Sequence, residues 1–128
     1  MMLGSYLLKK EKNKWTKIDV NGRPPAPRYS HSMNYFESNN MLVIFGGRIQ
    51  SQIHNQTFSL NDVWILELRK VEWFRLNCSG NMPTKRYGHI SLLNGNQLVV
   101  FGGLTDDMFC DNTLHVLKID PGFTKRYK

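Results

Sequence analysis

The side chains that could support nucleophilic, acid–base or metal chemistry are two cysteines, four histidines and an adjacent pair of aspartates. Cys78 and Cys110 lack the short spacing of a metal-binding or redox pair, so we expect free thiols. His31 and His89 lie 58 residues apart with no cluster of further ligands, which disfavours a metal site. The Asp106-Asp107 pair has no base beside it and is interpreted as a solvated turn.

Sequence motifs of common enzymes are also missing. The sequence has no phosphate-binding loop, no histidines three or four residues apart and no Gly-x-Ser-x-Gly segment. We therefore expect a protein that is not an enzyme and that needs neither a cofactor nor a metal.

Two arginines recur beside the histidines. Arg28 precedes His31 as Arg86 precedes His89. We interpret each pair as tying a loop to the start of a strand by hydrogen bonds. For the arginines, contact with a ligand is the alternative, whereas for the histidines a structural role is favoured.

These residues belong to a longer internal repeat. The first unit contains, in order, Trp15, Pro27, Arg28, His31, Phe45, Gly46, Gly47, Asn61 and Val63, and the second contains Trp73, Pro83, Arg86, His89, Phe101, Gly102, Gly103, Asn112 and Leu114. The Trp, Arg and His matches lie 58 residues apart, the Phe-Gly-Gly matches 56 and the Asn matches 51. Matches that keep their order while their spacing shrinks are typical of a repeated structural unit with variable loops.

The elements that must position these residues are strands, with almost no helix. Strands are predicted at 31–36, 41–45, 62–68 and 72–76 in the first unit, and at 89–93, 97–101 and 113–119 in the second. The apolar run 41–45 indicates a strand buried on both faces. A lone strand is predicted at 15–18, and Asn94-Gly95-Asn96 predicts a hairpin turn.

The repeat resembles the kelch repeat of β-propeller proteins over residues 15–120. The resemblance depends on the Arg-Tyr-Ser-His and Arg-Tyr-Gly-His segments, the two Phe-Gly-Gly strand ends, and the Asn-Asp-Val-Trp-Ile-Leu and Asn-Thr-Leu-His-Val-Leu strands. It implies an all-β fold, a partial kelch-type β-propeller of two four-stranded antiparallel blades. No Trp follows the second unit as Trp73 follows the first, so the fourth strand of the second blade is left open.

Several residues of the repeat are expected to serve the framework of such blades. The glycine pairs are expected to allow tight turns and close approach of backbones at Gly46, Gly47, Gly102 and Gly103. Trp73 is expected to fill the space between adjacent blades.

The expected organisation is a basic segment at 1–14, unit one with its lone strand at 15–76, unit two at 77–120 and a basic tail at 121–128. Closed kelch propellers resemble rings of several blades, and two blades alone leave faces and edges uncovered. Two units therefore imply a fragment of a longer protein, self-association, or docking on a larger partner. The fragment and the docked subunit are favoured.

The net charge of +7 is concentrated at the two ends of the chain. Residues 9–17 and 125–128 account for the whole excess, so solvated tails are favoured over a nucleic-acid surface. No apolar run is long enough to span a membrane and no secretion signal is recognised, so we expect a cytoplasmic protein.

The expected function is a non-catalytic interaction module that presents the loops 22–30, 48–60, 80–88 and 104–111 to a protein. By resemblance, the candidate contacts for an acidic or phosphorylated peptide are Arg28, Tyr29, Arg48, Arg86 and Tyr87. The alternative is a structural subunit of a large assembly, possibly containing nucleic acid, docked through the basic ends. A regulatory piece of an enzyme whose catalytic domain lies elsewhere comes third.

Overall fold

The computed structural model describes residues 13–123, which form two antiparallel sheets. The first sheet has the order β1-β2-β3-β4 and the second β5-β6-β7, so consecutive strands are neighbours throughout. The strands are β1 (Ser32–Phe36), β2 (Met41–Ser51), β3 (Gln56–Glu67), β4 (Glu72–Leu76), β5 (Ile90–Asn94), β6 (Gln97–Phe101) and β7 (Leu114–Lys118). A single 3₁₀ turn, Glu37–Asn39, joins β1 to β2. The prediction of an all-β fold built from two blade-like units is confirmed.

The strands of the first unit are longer than the sequence predicts. Residues 48–60 were expected to be a loop, but β2 and β3 continue past Phe45 as a paired hairpin whose register reaches Ser51 and Gln56. A bulge between Phe45 and Gly47 lets the ladder resume after the glycines. The expected loop is therefore wrong over most of its length, because polar residues in this segment still pair as exposed strands.

The two sheets pack face to face, and their inner faces, those turned toward each other, form the core. Alternation along the strands places Val43, Phe45, Val63 and Ile65 on the inner face of the first sheet, all at most 3% exposed. Leu98 and Val100 meet them from the second sheet, and Ile119 and Phe123 complete the same cluster. The outer face is the opposite face of each sheet.

Two expected elements at the ends of the repeats are not seen as strands. Residues 15–18 join no sheet, and Trp15 is fully exposed, so the predicted lone strand is wrong for the isolated chain. The second sheet has three strands within residues 13–123, and no fourth strand follows β7 there. A strand needs a neighbour to satisfy its backbone groups, and none of the described strands pairs with 15–18.

Trp73 lies on the outer face of the first sheet. The register places it opposite Leu66, whereas the inner-face residues Val63 and Ile65 face Leu76 and Phe74. Trp73 is half-buried and does not fill the space between the two described sheets. Leu76 of the same strand packs against the shared core instead.

The second glycine of the first doublet is required by close backbone approach. Gly47 has φ +95°, and a Cβ there would lie 2.7 Å from the His31 Cβ and 2.8 Å from the Tyr29 carbonyl oxygen. Gly95, in the β5–β6 turn, has φ +59° and nothing within 4 Å of the same position.

We expect Gly47→Ala to lower the free energy of unfolding by about 3 kcal/mol or more, because the clash adds to the left-handed backbone. Gly95→Ala is the matched control and should cost about 1 kcal/mol, since only its backbone conformation opposes a side chain. Urea unfolding followed by tryptophan fluorescence measures both. Equal losses would show that close approach at Gly47 is not the constraint.

Candidate functional site

Arg28 is the centre of a buried polar network in the first sheet. Its Nη1 and Nη2 donate to the two carboxylate oxygens of Asp62 at 2.6 and 3.0 Å. Nη1 also donates to the Gly46 carbonyl at 3.0 Å, and Nε to the Ala26 carbonyl at 3.1 Å. The side chain is 5% exposed. The guanidinium therefore ties the loop before β1 to the bulge in β2 and to β3.

Arg86 makes the equivalent network in the second sheet. Its Nη1 donates to the Gly102 carbonyl and its Nε to the Thr84 carbonyl, at 3.0 and 3.1 Å. Nη2 donates to Asp111 at 3.1 Å and to the Thr84 hydroxyl at 3.0 Å. The side chain is 2% exposed. The repeat thus conserves a contact set within this chain: a carbonyl two residues back, the first glycine of the doublet, and an aspartate.

These networks support the framework role that was expected for Arg28 and Arg86, since both side chains are buried and each of their nitrogens donates within the fold. Contact of these two arginines with a ligand, the alternative, stays a prediction. The aspartates that hold them, Asp62 and Asp111, were missed in the sequence. Asp62 follows the repeated Asn61, whereas Asp111 precedes the repeated Asn112, so the two aspartates do not align when the repeats are compared in sequence.

The Asp62 carboxylate is stabilised in its charged form. Burial alone raises the pKa of Asp62, but hydrogen bonds from Arg28 and from the Trp64 indole outweigh it and leave the pKa below its usual range. The indole Nε1 donates to Asp62 Oδ2 at 2.7 Å. Three donors on one carboxylate explain the direction of the shift.

The two histidines are not part of the hydrogen-bond networks of Arg28 and Arg86. His89 crosses to the first sheet, where its Nε2 lies 2.8 Å from the Ser32 hydroxyl and its ring packs edge-on against Phe45. Burial lowers the pKa of His89, and the charge of Arg86 adds to this effect, which outweighs a contact with the Phe45 backbone. His31 is exposed, and the pKa of His31 is lowered by partial burial and by the charge of Arg28.

The remaining candidates come together where the two sheets meet. The Arg48 guanidinium carbon lies 4.5 Å from the centroid of the Tyr87 ring, a cation–π contact between the sheets. Arg48 and Tyr29 pair through two backbone hydrogen bonds of 2.9 and 3.0 Å. Tyr29 is 46% exposed, and the Arg48 side chain is 20% exposed. We call Tyr29, Arg48, Tyr87 and Asp106 the Arg48 cluster.

Asp106, which was interpreted as a solvated turn residue, is part of this cluster. Its Oδ1 accepts a hydrogen bond from the Ser59 hydroxyl at 2.6 Å and lies 3.6 Å from Arg48 Nη2. The hydrogen bond from Ser59 is the main cause that lowers the pKa of Asp106, despite slight desolvation. Since 3.6 Å is too long for a hydrogen bond, Asp106 is a loose ion-pair partner of Arg48.

An open groove of about 580 Å³ lies beside the cluster. Three aspartates, Asp106, Asp107 and Asp111, line it together with Lys85 and Phe109. The groove is therefore more acidic than the overall charge of the chain suggests. It is a surface feature that sequence reasoning missed, because the loop 104–111 brings these carboxylates to one side only when folded.

The described residues show no assembled metal site. Residues 13–123 contain no group of three or more His, Cys, Asp or Glu side chains placed to hold a metal. Cys78 and Cys110 are both free. Over the same range, the structure contains no helix with the length and apolar character of a membrane span.

The geometry defines a class of protein: repeated small antiparallel sheets, packed face to face, each tied internally by a buried arginine. Comparison with known proteins gives the family. The model of the KLHDC2/KLHL20/DRC7 Kelch-repeats domain matches residues 3–126. The chain belongs to this Kelch-repeat family, and the resemblance stated from the sequence is confirmed. Domains of this family are generally non-catalytic interaction domains, which agrees with the expected class of function.

Relatives of known identity are much longer than this chain. It is 37% identical over 108 residues to tip elongation aberrant protein 1 of Schizosaccharomyces pombe, covering 80% of this chain and 9% of the relative. It is 34% identical to dynein regulatory complex subunit 7 of Chlamydomonas reinhardtii, covering 73% and 8%. It is 30% identical to the human Rab9 effector protein with kelch motifs, covering 83% and 27%. The chain thus spans only a small part of the length of these relatives.

The buried arginine network predicts a large loss on truncation. Arg28→Ala should lower the free energy of unfolding by about 2–4 kcal/mol, because it leaves the Asp62 carboxylate buried without its partner. The control Arg69→Ala removes an exposed arginine from the β3–β4 turn and should change stability by less than about 0.5 kcal/mol. Thermal or urea unfolding compares them, and a similar small effect for both would contradict the role of Arg28.

The lowered pKa of His89 predicts a loss of stability in mild acid. The unfolded chain takes up a proton at His89 below about pH 6.5, whereas the folded chain resists it, so stability falls as the pH drops below that value. His89→Gln should reduce the fall of stability with pH, and the part that remains should come from His31, whose pKa is also lowered. The lowered pKa of Asp62 adds a second loss, below about pH 4. Urea midpoints measured from pH 8 to pH 3 test both; an unchanged slope in His89→Gln would contradict the first.

Proposed function

We propose that this chain is a non-catalytic protein-interaction module that binds a segment of a partner protein at the Arg48 cluster. The observation that carries the proposal is the cation–π stack of Arg48 on Tyr87, held between two sheets beside the exposed ring of Tyr29. Arginine and tyrosine at a partly open junction are the residue types that dominate protein recognition.

The arginine is positioned in advance but incompletely paired. The backbone bonds to Tyr29 and the ring of Tyr87 fix Arg48, so little side-chain entropy is lost on binding. Its Nη2 has Asp106 at 3.6 Å, and that carboxylate is 45% exposed. A carboxylate or phosphate of a partner could approach to normal hydrogen-bond distance and displace Asp106, which therefore acts as an internal substitute for the ligand.

Apolar side chains extend the surface on one side. Met108 and Phe109 are 65% and 63% exposed, and the Met108 sulfur lies 3.5 Å from the Tyr87 hydroxyl. They offer contact area next to the charged anchor, as the centre of an interaction surface requires.

The groove beside the cluster limits which acidic partner fits. Of its three aspartates, Asp106 is paired with Arg48 and Asp111 with Arg86, so Lys85 is the cation of the groove lining left to attract a run of phosphates or carboxylates, and Asp107 opposes it. The expected partner segment therefore carries a single acidic or phosphorylated side chain at Arg48. The names of two relatives, an effector protein and a subunit of a regulatory complex, support a role in binding other proteins.

The alternative of a subunit docked through basic ends stays a prediction. Residues 1–12 and 124–128, which hold most of that charge, lie outside the described residues. A cytoplasmic location likewise stays a prediction.

An array of peptides with a central serine, glutamate or phosphoserine tests the proposal. We expect Arg48→Ala to weaken binding of the acidic peptides about tenfold or more, since a charge-assisted pair is lost. Asp106→Asn should strengthen binding, because the internal competitor loses its charge. Arg23→Ala, at an exposed arginine before β1, is the control and should have no effect. Binding that is insensitive to Arg48→Ala would reject the surface.

A further inference from the structure

The outer face of the second sheet is apolar and open. The register places Ile90, Phe101 and Leu114 in one row across the sheet, and Leu92 and Val116 in the next. All five side chains are between 41% and 69% exposed. A contiguous apolar face of this kind marks a surface that is normally covered.

The repeat shows what covers the equivalent face. Phe101, Leu114 and Val116 correspond to Phe45, Val63 and Ile65 of the first unit, which are at most 3% exposed because the second sheet packs on them. The molecule therefore contains one example of the missing contact: a further sheet, related to the second as the second is to the first.

The two glycine doublets also show that, in the described part of the chain, the second unit lacks a neighbour which the first unit has. A Cβ on Gly46 would lie 3.0 Å from both the Arg86 carbonyl oxygen and the His89 ring, which the second unit supplies. The equivalent Gly102 has nothing within 4 Å. The Gly47 amide donates to the Arg86 carbonyl at 3.0 Å, whereas the Gly103 amide has no acceptor among residues 13–123. The end of β6 is thus shaped to receive an Arg–His segment.

Among the described residues, the second sheet also has an unpaired strand edge at β7, and the chain has an unpaired segment at 15–18. β4 covers the edge of β3, but no strand within residues 13–123 covers the equivalent edge of β7. Residues 15–18 align with β4 at the 58-residue spacing, join no sheet, and leave Trp15 fully exposed. The repeat places 15–18 as the fourth strand of a sheet that would precede the first.

We propose that the chain binds a second copy of itself, head to tail. The outer face of the second sheet of one copy packs on the outer face of the first sheet of the next. Residues 15–18 of that next copy add to β7 as its fourth strand. The first sheet of the next copy would be placed relative to the second sheet as the second sheet is placed relative to the first, and this single placement satisfies both contacts. We choose another copy of this chain as the occupant because it carries the unpaired segment 15–18 and the matching sheet face together.

The two surfaces would meet at an apolar pair, but the outer face of the first sheet is open only in part: Met33 is 57% exposed, whereas Ile44 and Trp64 in the same row are 7% and 8% exposed. Within one chain, Asn34 and Ser91 hydrogen-bond across the sheets. Their equivalents across copies are Leu92 and Met33, both apolar and 63% and 57% exposed. The polar pair that joins the two sheets within a chain thus corresponds to an apolar pair in the proposed contact between copies.

The strand register follows from the first sheet. Leu66 lies opposite Trp73 and Val63 opposite Leu76, so Leu117 would lie opposite Trp15 and Leu114 opposite Ile18. The same register sets Lys118 opposite Lys14, a like-charged pair, so added salt should favour association. The contact is heterologous, so it generates a closed ring or an open filament.

The test uses one variant for each half of the contact. Thr16→Pro disables the added strand, because proline lacks an amide hydrogen for the ladder. The double variant Leu92→Asp/Leu114→Asp disables the receiving face. All three sites are exposed, so folding should be unaffected, which circular dichroism checks. Ile53→Asp, 88% exposed in the β2–β3 turn, is the control.

Solution masses are measured by light scattering at about 100 µM, a concentration that detects micromolar association. We expect multiples of 14.9 kDa for the wild type and Ile53→Asp, and 14.9 kDa for each end variant alone. An equal mixture of the two end variants should form a species of two copies, since one intact end of each kind remains.

Three results would overturn the proposal. A wild-type mass of 14.9 kDa would show that no second copy binds, leaving a different protein or further blades as the occupant. Association that both end variants retain would place the contact elsewhere. Association that salt weakens would point to the basic ends of the chain.

Discussion

The structure depends on the burial of one sheet face against another. A small antiparallel sheet with apolar side chains on both faces is not stable alone in water, because each face must exclude solvent. In this chain the inner faces meet and bury Val43, Phe45 and Ile65 against Leu98 and Val100. The same requirement, applied to the outer face of the second sheet, is unmet within residues 13–123. The core and the open surface therefore have one physical cause.

Buried arginines allow these small sheets to hold long loops in place. A guanidinium offers five donors in a fixed plane, so Arg28 and Arg86 can each bind an aspartate and backbone carbonyls at the same time. Lysine could not, because its single ammonium cannot span these acceptors. Arg28 and Arg86 hold the segments next to Tyr29 and Tyr87, so the Arg48 guanidinium can stay 4.5 Å from the Tyr87 ring while both remain partly exposed.

Framework arginines and more exposed tyrosines thus lie side by side in the sequence but at different depths. Arg28 and Tyr29 are adjacent, yet the arginine is turned into the blade while the tyrosine is 46% exposed. Arg86 and Tyr87 repeat this division. Alternation along an extended chain produces it, since neighbouring side chains point in opposite directions. The candidate contacts taken from the family resemblance therefore differ widely in their exposure.

The sequence by itself determined the local order of this protein. The repeated Trp, Arg, His and Phe-Gly-Gly positions, and the apolar runs at 41–45 and 97–101, were enough to predict strands, blades and family, because strand formation and turns depend on nearby residues. Only the tertiary structure decided which arginine is buried, that Asp62, Asp106 and Asp111 are the acidic partners, and that Trp15 has no sheet to join. Those outcomes depend on contacts between residues tens of positions apart, and the distances between such residues are set by how the sheets pack.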